Sequence, residues 1–365
     1  MHNSNSGSVG VALVGCGRIA GHHAKAIQET PGMHLVAVCD LDYEVALKCG
    51  NLFAVPSYVD YREMIESHSE IGVIAIMTPS GMHFEQAFEM LTEHRKHVIL
   101  EKPTVLKQSQ LATLYDQAGL HSLRIFPIFQ NRHNAAVQRV KLGLANGELG
   151  SIRVLAIRVR WCRPQRYYDL APWRGTFALD GGALTNQGIH HIDLLRYLGG
   201  EVKSVSSKLA TLRANVEVED TAVAVFEMVN GAVGTLEITT SAEPTDYEAS
   251  ISVVCSDGLA QIGGVAVNEL QIYTPEPDDG ALASEDFSTS VYGNGHKKIY
   301  SEISQCLAID QEFSVSAEDV TATITFLNAL YASDELQRWV EIQENLESVR
   351  LGKDNTELRS LYRLH

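Results

Sequence analysis

The chain has 365 residues, 45% of them hydrophobic and 20% charged, with a formal net charge of −16. That length suits two cores rather than one, and the composition is that of an ordinary globular protein. The negative balance argues against nucleic acid or an anionic membrane as partner, because such binding rests on Lys and Arg neutralising phosphates. A small anionic ligand stays open, since local fields decide that.

No apolar run approaches the roughly 20 residues that a membrane-spanning helix needs. Met1–Ser8 is polar, lacks the basic and apolar regions of a secretory signal, and reads as a loose tail. Cys16, Cys39, Cys49, Cys162, Cys255 and Cys306 are scattered, without a CxxC pair or metal-ligand spacing. They read as reduced thiols of a cytoplasmic protein, and no metal is expected.

From the N-terminus, short apolar runs alternate with helical patterns. Val9–Val14, Leu35–Cys39, Val73–Met77, Val98–Leu100 and Leu123–Phe129 read as buried strands, and Ile19–Glu29, Tyr43–Asn51, Phe84–His94 and Gln108–Gly119 as helices. Such alternation predicts a parallel sheet wrapped by helices on both faces. Beyond about residue 150 the pattern changes. Ile152–Arg160, Val202–Leu212, Ala222–Met228, Ala232–Thr239, Ala249–Cys255 and Leu259–Ile262 read as strands of a mostly antiparallel sheet, with helices at 132–146, 184–198 and 316–333. Asn230-Gly231 and Asp257-Gly258 suit tight hairpin turns, because both residue types tolerate positive φ. The Pro/Asp/Gly/Ser-rich stretch 274–290 reads as a loop.

Gly15-Cys16-Gly17-Arg18-Ile19-Ala20 follows a strand and opens a helix. Gly15 permits the tight turn, Gly17 lets backbone approach a pyrophosphate, and Ala20 allows close helix–strand packing. Asp40 ends the second strand, 23 residues past Gly17. A carboxylate there accepts bonds from a ribose diol and repels a 2′-phosphate, which favours NAD over NADP.

Two further segments carry chemistry. Glu101-Lys102-Pro103 lies at a strand's carboxyl end, where ligands of such sheets bind, and Asp180–Asp193 contains Asn186-Gln187-Gly188-Ile189-His190. Together with the glycine turn and Thr78-Pro79-Ser80…His83, these resemble the glucose–fructose oxidoreductase/inositol dehydrogenase/rhizopine-catabolism family over nearly the whole chain. The resemblance implies an α/β protein: a Rossmann domain (9–130) behind the tail (1–8), and an α/β domain with a large open, mostly antiparallel sheet for substrate binding and oligomerisation (131–365). It implies NAD bound by Gly15, Gly17, Arg18, Ile19, Asp40, Thr78, Pro79, His83, Glu101 and Lys102. It also implies a catalytic Lys102 before a cis Pro103, an active-site His190, and Asp193 one helical turn later. The residues agree with this chemistry. A desolvated lysine, its pKa brought from ~10.4 toward roughly 7–8, can accept a proton from a secondary alcohol, and a histidine titrates near neutrality. His190 and Asp193 share a helix face, so Asp193 is expected to orient the ring or hold a substrate hydroxyl. At position 186 the family often has Asp; the amide here cannot accept a proton, which leaves Lys102 and His190 as the acid–base candidates.

Arg153, Arg158, Arg160, Arg163, Arg166 and Arg174 cluster within 153–174 against one acid, Asp169. Arginine forks pair with carboxylate or phosphate, so an anionic ligand is expected, with Arg163, Arg166 and Arg174 the stronger candidates and Arg153 an outward strand residue. The string Tyr167-Tyr168-Asp169…Trp173-Arg174-Gly175…Asn186-Gln187, with Val291–His296, resembles the UDP-2-acetamido-2-deoxyglucuronate 3-dehydrogenase branch of the family. That resemblance implies a UDP-N-acetyl-hexosaminuronate oxidised at C3, with Arg160, Tyr168, Trp173, Arg174, Asn186, His190, Asp193, Tyr292 and His296 at the sugar and the 274–296 loop closing over it. A dehydrogenase of a free or phosphorylated sugar or of an inositol, an NAD-retaining glycosidase, and a non-catalytic NAD-binding regulator are the rival readings. An open sheet face needs covering, so a homodimer or homotetramer is expected.

Overall fold

The computed structural model describes residues 8–275, 283–285, 287, 293 and 295–364. In chain order its first part comprises β1 (Val9–Val14), α1 (Ala20–Glu29), β2 (Met33–Cys39), α2 (Tyr43–Phe53), β3 (Ser57–Tyr58), α3 (Tyr61–Ser67), β4 (Ile71–Ile76), α4 (His83–Thr92), β5 (His97–Leu100), α5 (Gln108–Leu120) and β6 (Ile125–Pro127). The six strands form one parallel sheet in the order β3-β2-β1-β4-β5-β6. Because helices cover both faces, its central strands are almost continuously apolar: Val11, Ala12, Leu13, Val73, Ile74 and Ala75 are all fully buried. The order reverses between β1 and β4, and the crevice at such a switch point receives ligands. Gly15, φ +98°, makes the first turn there; a Cβ on it would meet the main chain of Met77 at 2.8 Å.

A 3-10 turn (Gln130–His133) leads into α6 (Ala135–Ala145), β7 (Ile152–Arg160), α7 (Gln165–Tyr168), a π-helical turn (Ala183–Gln187), α8 (Ile189–Gly199), β8 (Val202–Ala210), β9 (Thr221–Met228), β10 (Val233–Thr239), β11 (Glu248–Cys255), β12 (Leu259–Gly263) and β13 (Glu269–Thr274). After these come α9 (Gly295–Ile309), α10 (Ala317–Leu336), β14 (Val340–Glu341) and α11 (Thr356–Ser360). The second sheet runs β13-β12-β11-β7-β10-β9-β8-β14. It is antiparallel except where β10 lies parallel to β7. Its strands alternate, β9 being buried at every second residue, because only one face is covered. Leu155, Ile157, Val159, Leu236 and Ile238 make the inner face.

Several differences from the sequence reading have local causes. The helix expected over 184–198 is a π turn and then α8, divided at Gly188, where a Cβ would strike Ile238 at 2.4 Å. Gly231 has φ +87°, as a hairpin turn requires. Gly258 does not adopt positive φ; it lets the turn pass the carbonyl of Thr274, 2.0 Å from where its Cβ would stand. Helix α9, far along the chain, packs Ile299, Tyr300 and Ile303 into the core of the first sheet. Most of the loop expected at 274–290 lies outside the described residues. No helix among the described residues is long and apolar enough to cross a membrane.

The turn after β6 is tied to α8 and α10 by one buried cation. Arg132, 4% exposed, donates to both oxygens of Asp193 at 2.6 and 2.7 Å and to Asp319 at 2.9 Å, and Thr323 donates to Asp193 as well. Removing one partner of a buried pair leaves the other charge desolvated. Asp193→Ala should therefore lower unfolding free energy by about 3 kcal/mol or more in denaturant titration. A stability loss too small to measure, with turnover alone impaired, would contradict this structural role.

Candidate active site

A cleft of about 1230 Å³ opens between the carboxyl edge of the first sheet and the inner side of the second part. Gly15, Gly17, Arg18, Ile19, Asp40, Thr78 and Pro79 line one end, and Glu101, Lys102, Gln130, Asn186 and His190 its centre. Trp161, Arg163, Arg166, Tyr167, Trp173 and Arg174 surround the rest.

The first end fits a dinucleotide. Gly17 faces open space, with nothing within 4 Å of where a Cβ on it would stand, and no side chain caps α1, so the positive end of the helix faces that space as an anion requires. Asp40 is fixed by N–H donors from Cys16 (2.8 Å) and Asp42 (3.0 Å), and its carboxylate borders the cleft where a ribose diol would lie.

The centre is built by desolvation. The Lys102–Pro103 peptide is cis, as expected. Lys102 Nζ donates to the carbonyl of Asn186 at 2.7 Å, which joins the end of β5 to the π turn. Burial lowers its pKa from the usual lysine range; Glu101 and Asp180 pull it up again, while Arg163 and Arg174 push it further down. His190 Nε2 stands 3.2 Å from the amide nitrogen of Gln130. Burial, and then Lys102, hold this ring well below the ordinary histidine range, so it is neutral. Glu101 accepts from the Lys102 N–H at 2.9 Å, and its other oxygen is 2.9 Å from His23, whose second nitrogen meets Tyr300. Burial alone would raise the Glu101 pKa, yet the hydrogen bond from His23 and the His296 ring 3.8 Å away keep it well below the carboxylate range.

Several expected site residues stand elsewhere. Asp193 is the partner of Arg132 rather than of His190. Arg160 points to the outer face of the second sheet, held by Glu237 and Glu248. Tyr168 is buried with its hydroxyl 3.0 Å from Thr240; its neighbour Tyr167 lines the cleft instead. His83 lies behind the cleft, its ring bridging the carbonyls of Pro103 (2.9 Å) and Thr78 (3.0 Å). His296 stands beside His23, ring centroids 4.9 Å apart, and does not line the cleft. Tyr292 lies outside the described residues. Residues that carried no local signal join the site: Gln130, and Leu361, Tyr362 and Leu364, which Arg359 secures through bonds to Gly81 and Ala178.

The comparisons with known proteins agree with this geometry. Residues 9–129 match the family model described as "Oxidoreductase family, NAD-binding Rossmann fold", and residues 137–261 match the GFO/IDH/MocA C-terminal domain. The WlbA dehydrogenase of Bordetella pertussis, solved with NADH and UDP-GlcNAcA, is 33% identical, with a TM-score of 0.84 over 92% of this chain and 98% of that one. The chain belongs to the GFO/IDH/MocA oxidoreductase family. A second WlbA dehydrogenase, from Chromobacterium violaceum and also solved with NADH and UDP-GlcNAcA, is 31% identical, with a TM-score of 0.83 over 93% of this chain and 96% of that one. Levoglucosan dehydrogenase of Pseudarthrobacter phenanthrenivorans is 25% identical over 74% of this chain and 76% of its own length. This GFO/IDH/MocA member is an NAD-dependent oxidoreductase of the sugar dehydrogenase group, acting on CH–OH.

Asp40 supplies a direct test of cofactor choice. Asp40→Ser removes the charge that opposes a 2′-phosphate, and the ratio of kcat/KM with NAD to that with NADP should fall about tenfold or more, or about 1.4 kcal/mol. An unchanged ratio would mean that another group sets the preference.

Proposed function

We propose that this enzyme oxidises the C3 hydroxyl of a UDP-N-acetyl-hexosaminuronate to a ketone. The observation that carries this reading is Arg174. Its guanidinium lies 4.4 Å from the ring centres of both Tyr167 and Trp173 and donates to the Tyr167 hydroxyl at 2.7 Å, while its buried Nε has no partner. A guanidinium held this way, with a donor to spare, suits a carboxylate or diphosphate. Arg163 is bound to Asp246 at 2.8 Å, which makes Arg174 the stronger anion receptor of the two. The two WlbA dehydrogenases solved with UDP-GlcNAcA support the same substrate class.

When bound, NAD⁺ supplies the acceptor for the hydrogen and electron pair leaving C3. Gly15, Gly17, Arg18 and Ile19 would hold its diphosphate, Asp40 its ribose, and Thr78, Pro79 and Glu101 its nicotinamide end. Lys102 accepts the hydroxyl proton as the carbon becomes a ketone; lowered by burial, its neutral amine is available nearer neutral pH. One Nζ–H remains on the Asn186 carbonyl, which aims the lone pair into the cleft. Neutral His190 hydrogen-bonds the reacting oxygen. Trp161 and Trp173 flank the sugar nucleotide, and the walls of the cleft exclude water.

The six free cysteines fit a cytoplasmic enzyme. The open face of the second sheet fits a homo-oligomer: Val154, Val223, Val225, Val233, Val254 and Ile272 are each 42–50% exposed on it, a patch of the kind that marks an interface. Light scattering should give a mass of at least twice 40.0 kDa; a monomer would remove this part of the reading.

A substrate comparison tests the main claim. With NAD⁺ and a 2-oxo acid to reoxidise retained cofactor, UDP-N-acetylglucosaminuronate should be turned over while glucose, glucose 6-phosphate and myo-inositol are not. Arg174→Leu should raise KM for the uronate about tenfold, or about 1.4 kcal/mol, with kcat less affected. Turnover of a simple sugar instead, indifferent to Arg174, would overturn the substrate assignment and leave the dehydrogenase.

A further inference from the structure

Asn186 cannot supply a charge to Lys102, but the residue that Asn186 itself binds can. Asp180 is 2% exposed. Its oxygens are held by the Gly175 N–H at 2.7 Å and by the side-chain amide of Asn186, both neutral donors, while the Arg174 guanidinium acts on it through space. The main-chain carbonyl of the same Asn186 receives Lys102 Nζ, so a single residue separates a buried carboxylate from the amine. The amide of Gln187 in turn donates to the Asn186 side-chain oxygen at 2.7 Å, which fixes which way Asn186 faces.

We infer that Asp180 positions the Lys102 base and adds to its charge balance: it orients Asn186 so that its carbonyl meets Nζ, and its negative charge, beside that of Glu101, stabilises the ammonium formed when the substrate proton arrives. A buried carboxylate bonded only to neutral donors is costly. Burial accordingly pushes the Asp180 pKa up to about 6, which still leaves it ionised at pH 8. Protonating Lys102 gives this charge a nearby opposite, so the cost falls as the base does its work. Glu101 also pulls the Lys102 pKa up, and more than Asp180 does, but it is bonded to His23 and the Lys102 N–H and makes no bond to Asn186, so it sets charge without positioning. Arg163 and Arg174 oppose a charge on Lys102. His190, His191 and His296 are held below the ordinary histidine range by burial, and burial raises Tyr167 and Tyr168.

The test reads Lys102 directly. In the full chain freed of nucleotide, acetic anhydride acylates only the neutral amine, releasing acetate, so peptide mass spectrometry across pH gives the Lys102 midpoint without any sugar. In D180N that midpoint should drop by roughly one pH unit or more, the effect of losing an opposite charge nearby. The acid limb of kcat/KM for the sugar that the enzyme turns over should move the same way, with a tenfold or greater loss in kcat. D180N/N186D, which moves the carboxylate one residue closer to Nζ, should return both. An unmoved midpoint in folded D180N overturns the inference, as does a shift that D180N/N186D fails to reverse. Should D180N not fold, D180S decides, because it too removes the charge at position 180 and must lower the midpoint; an unmoved or raised one overturns the proposal. Because the midpoint needs no substrate, a wrong sugar assignment and a wrong role for Asp180 give different results.

Discussion

A lysine amine buried between two sheets is the constraint on which the rest of the site depends. Lys102 leaves the edge of the first sheet and ends on a carbonyl of the second part, so its geometry holds only while the two halves are docked. Two neighbouring contacts serve that docking: the Gly81 N–H donates to Leu179, and Arg359 bonds across both segments. Within the first part, His83 ties the Pro103 carbonyl to Thr78. Glu101, braced by His23 and Tyr300, holds the peptide before Pro103. Because Tyr300 comes from α9, the edge of the first sheet that carries Lys102 is completed by a helix almost 200 residues downstream of the lysine.

The electrostatics run against the average of the molecule. The chain carries −16, yet Arg18, Arg163, Arg166 and Arg174 all border the cleft. A low-dielectric wall strengthens such local charges while distant acids are screened by solvent. An acidic surface and the proposed binding of an anion in this cleft are therefore compatible, and the same desolvation that keeps His190 neutral also lowers the Lys102 pKa.

The parts legible in the sequence were those set by local geometry. The glycine turn and Asp40 declare themselves by spacing around a strand and a helix, whereas Glu101-Lys102-Pro103 and the segment from Asp180 to His190 were legible through their resemblance to a known family. What was illegible depends on partners distant in the chain. Asp193 looked like a histidine's companion until Arg132 and Thr323, both from other elements, were seen to hold it. Arg160 was misplaced because parity along β7, set by pairing with β10 and β11, sends it to the outer face. Tyr167 and Tyr168 exchange roles on a four-residue helix, too short for periodicity to tell them apart. Residues 361–364 carry no motif, and only the fold brings them to the cleft.

The proposal that Lys102 removes the proton is tested most directly by Lys102→Met, since the substitution keeps the unbranched apolar stem, one atom shorter, and removes the proton acceptor. Turnover should fall to background while NADH fluorescence reports unchanged cofactor binding. A Lys102→Met enzyme that retains most of its rate would show that the proton leaves by another route.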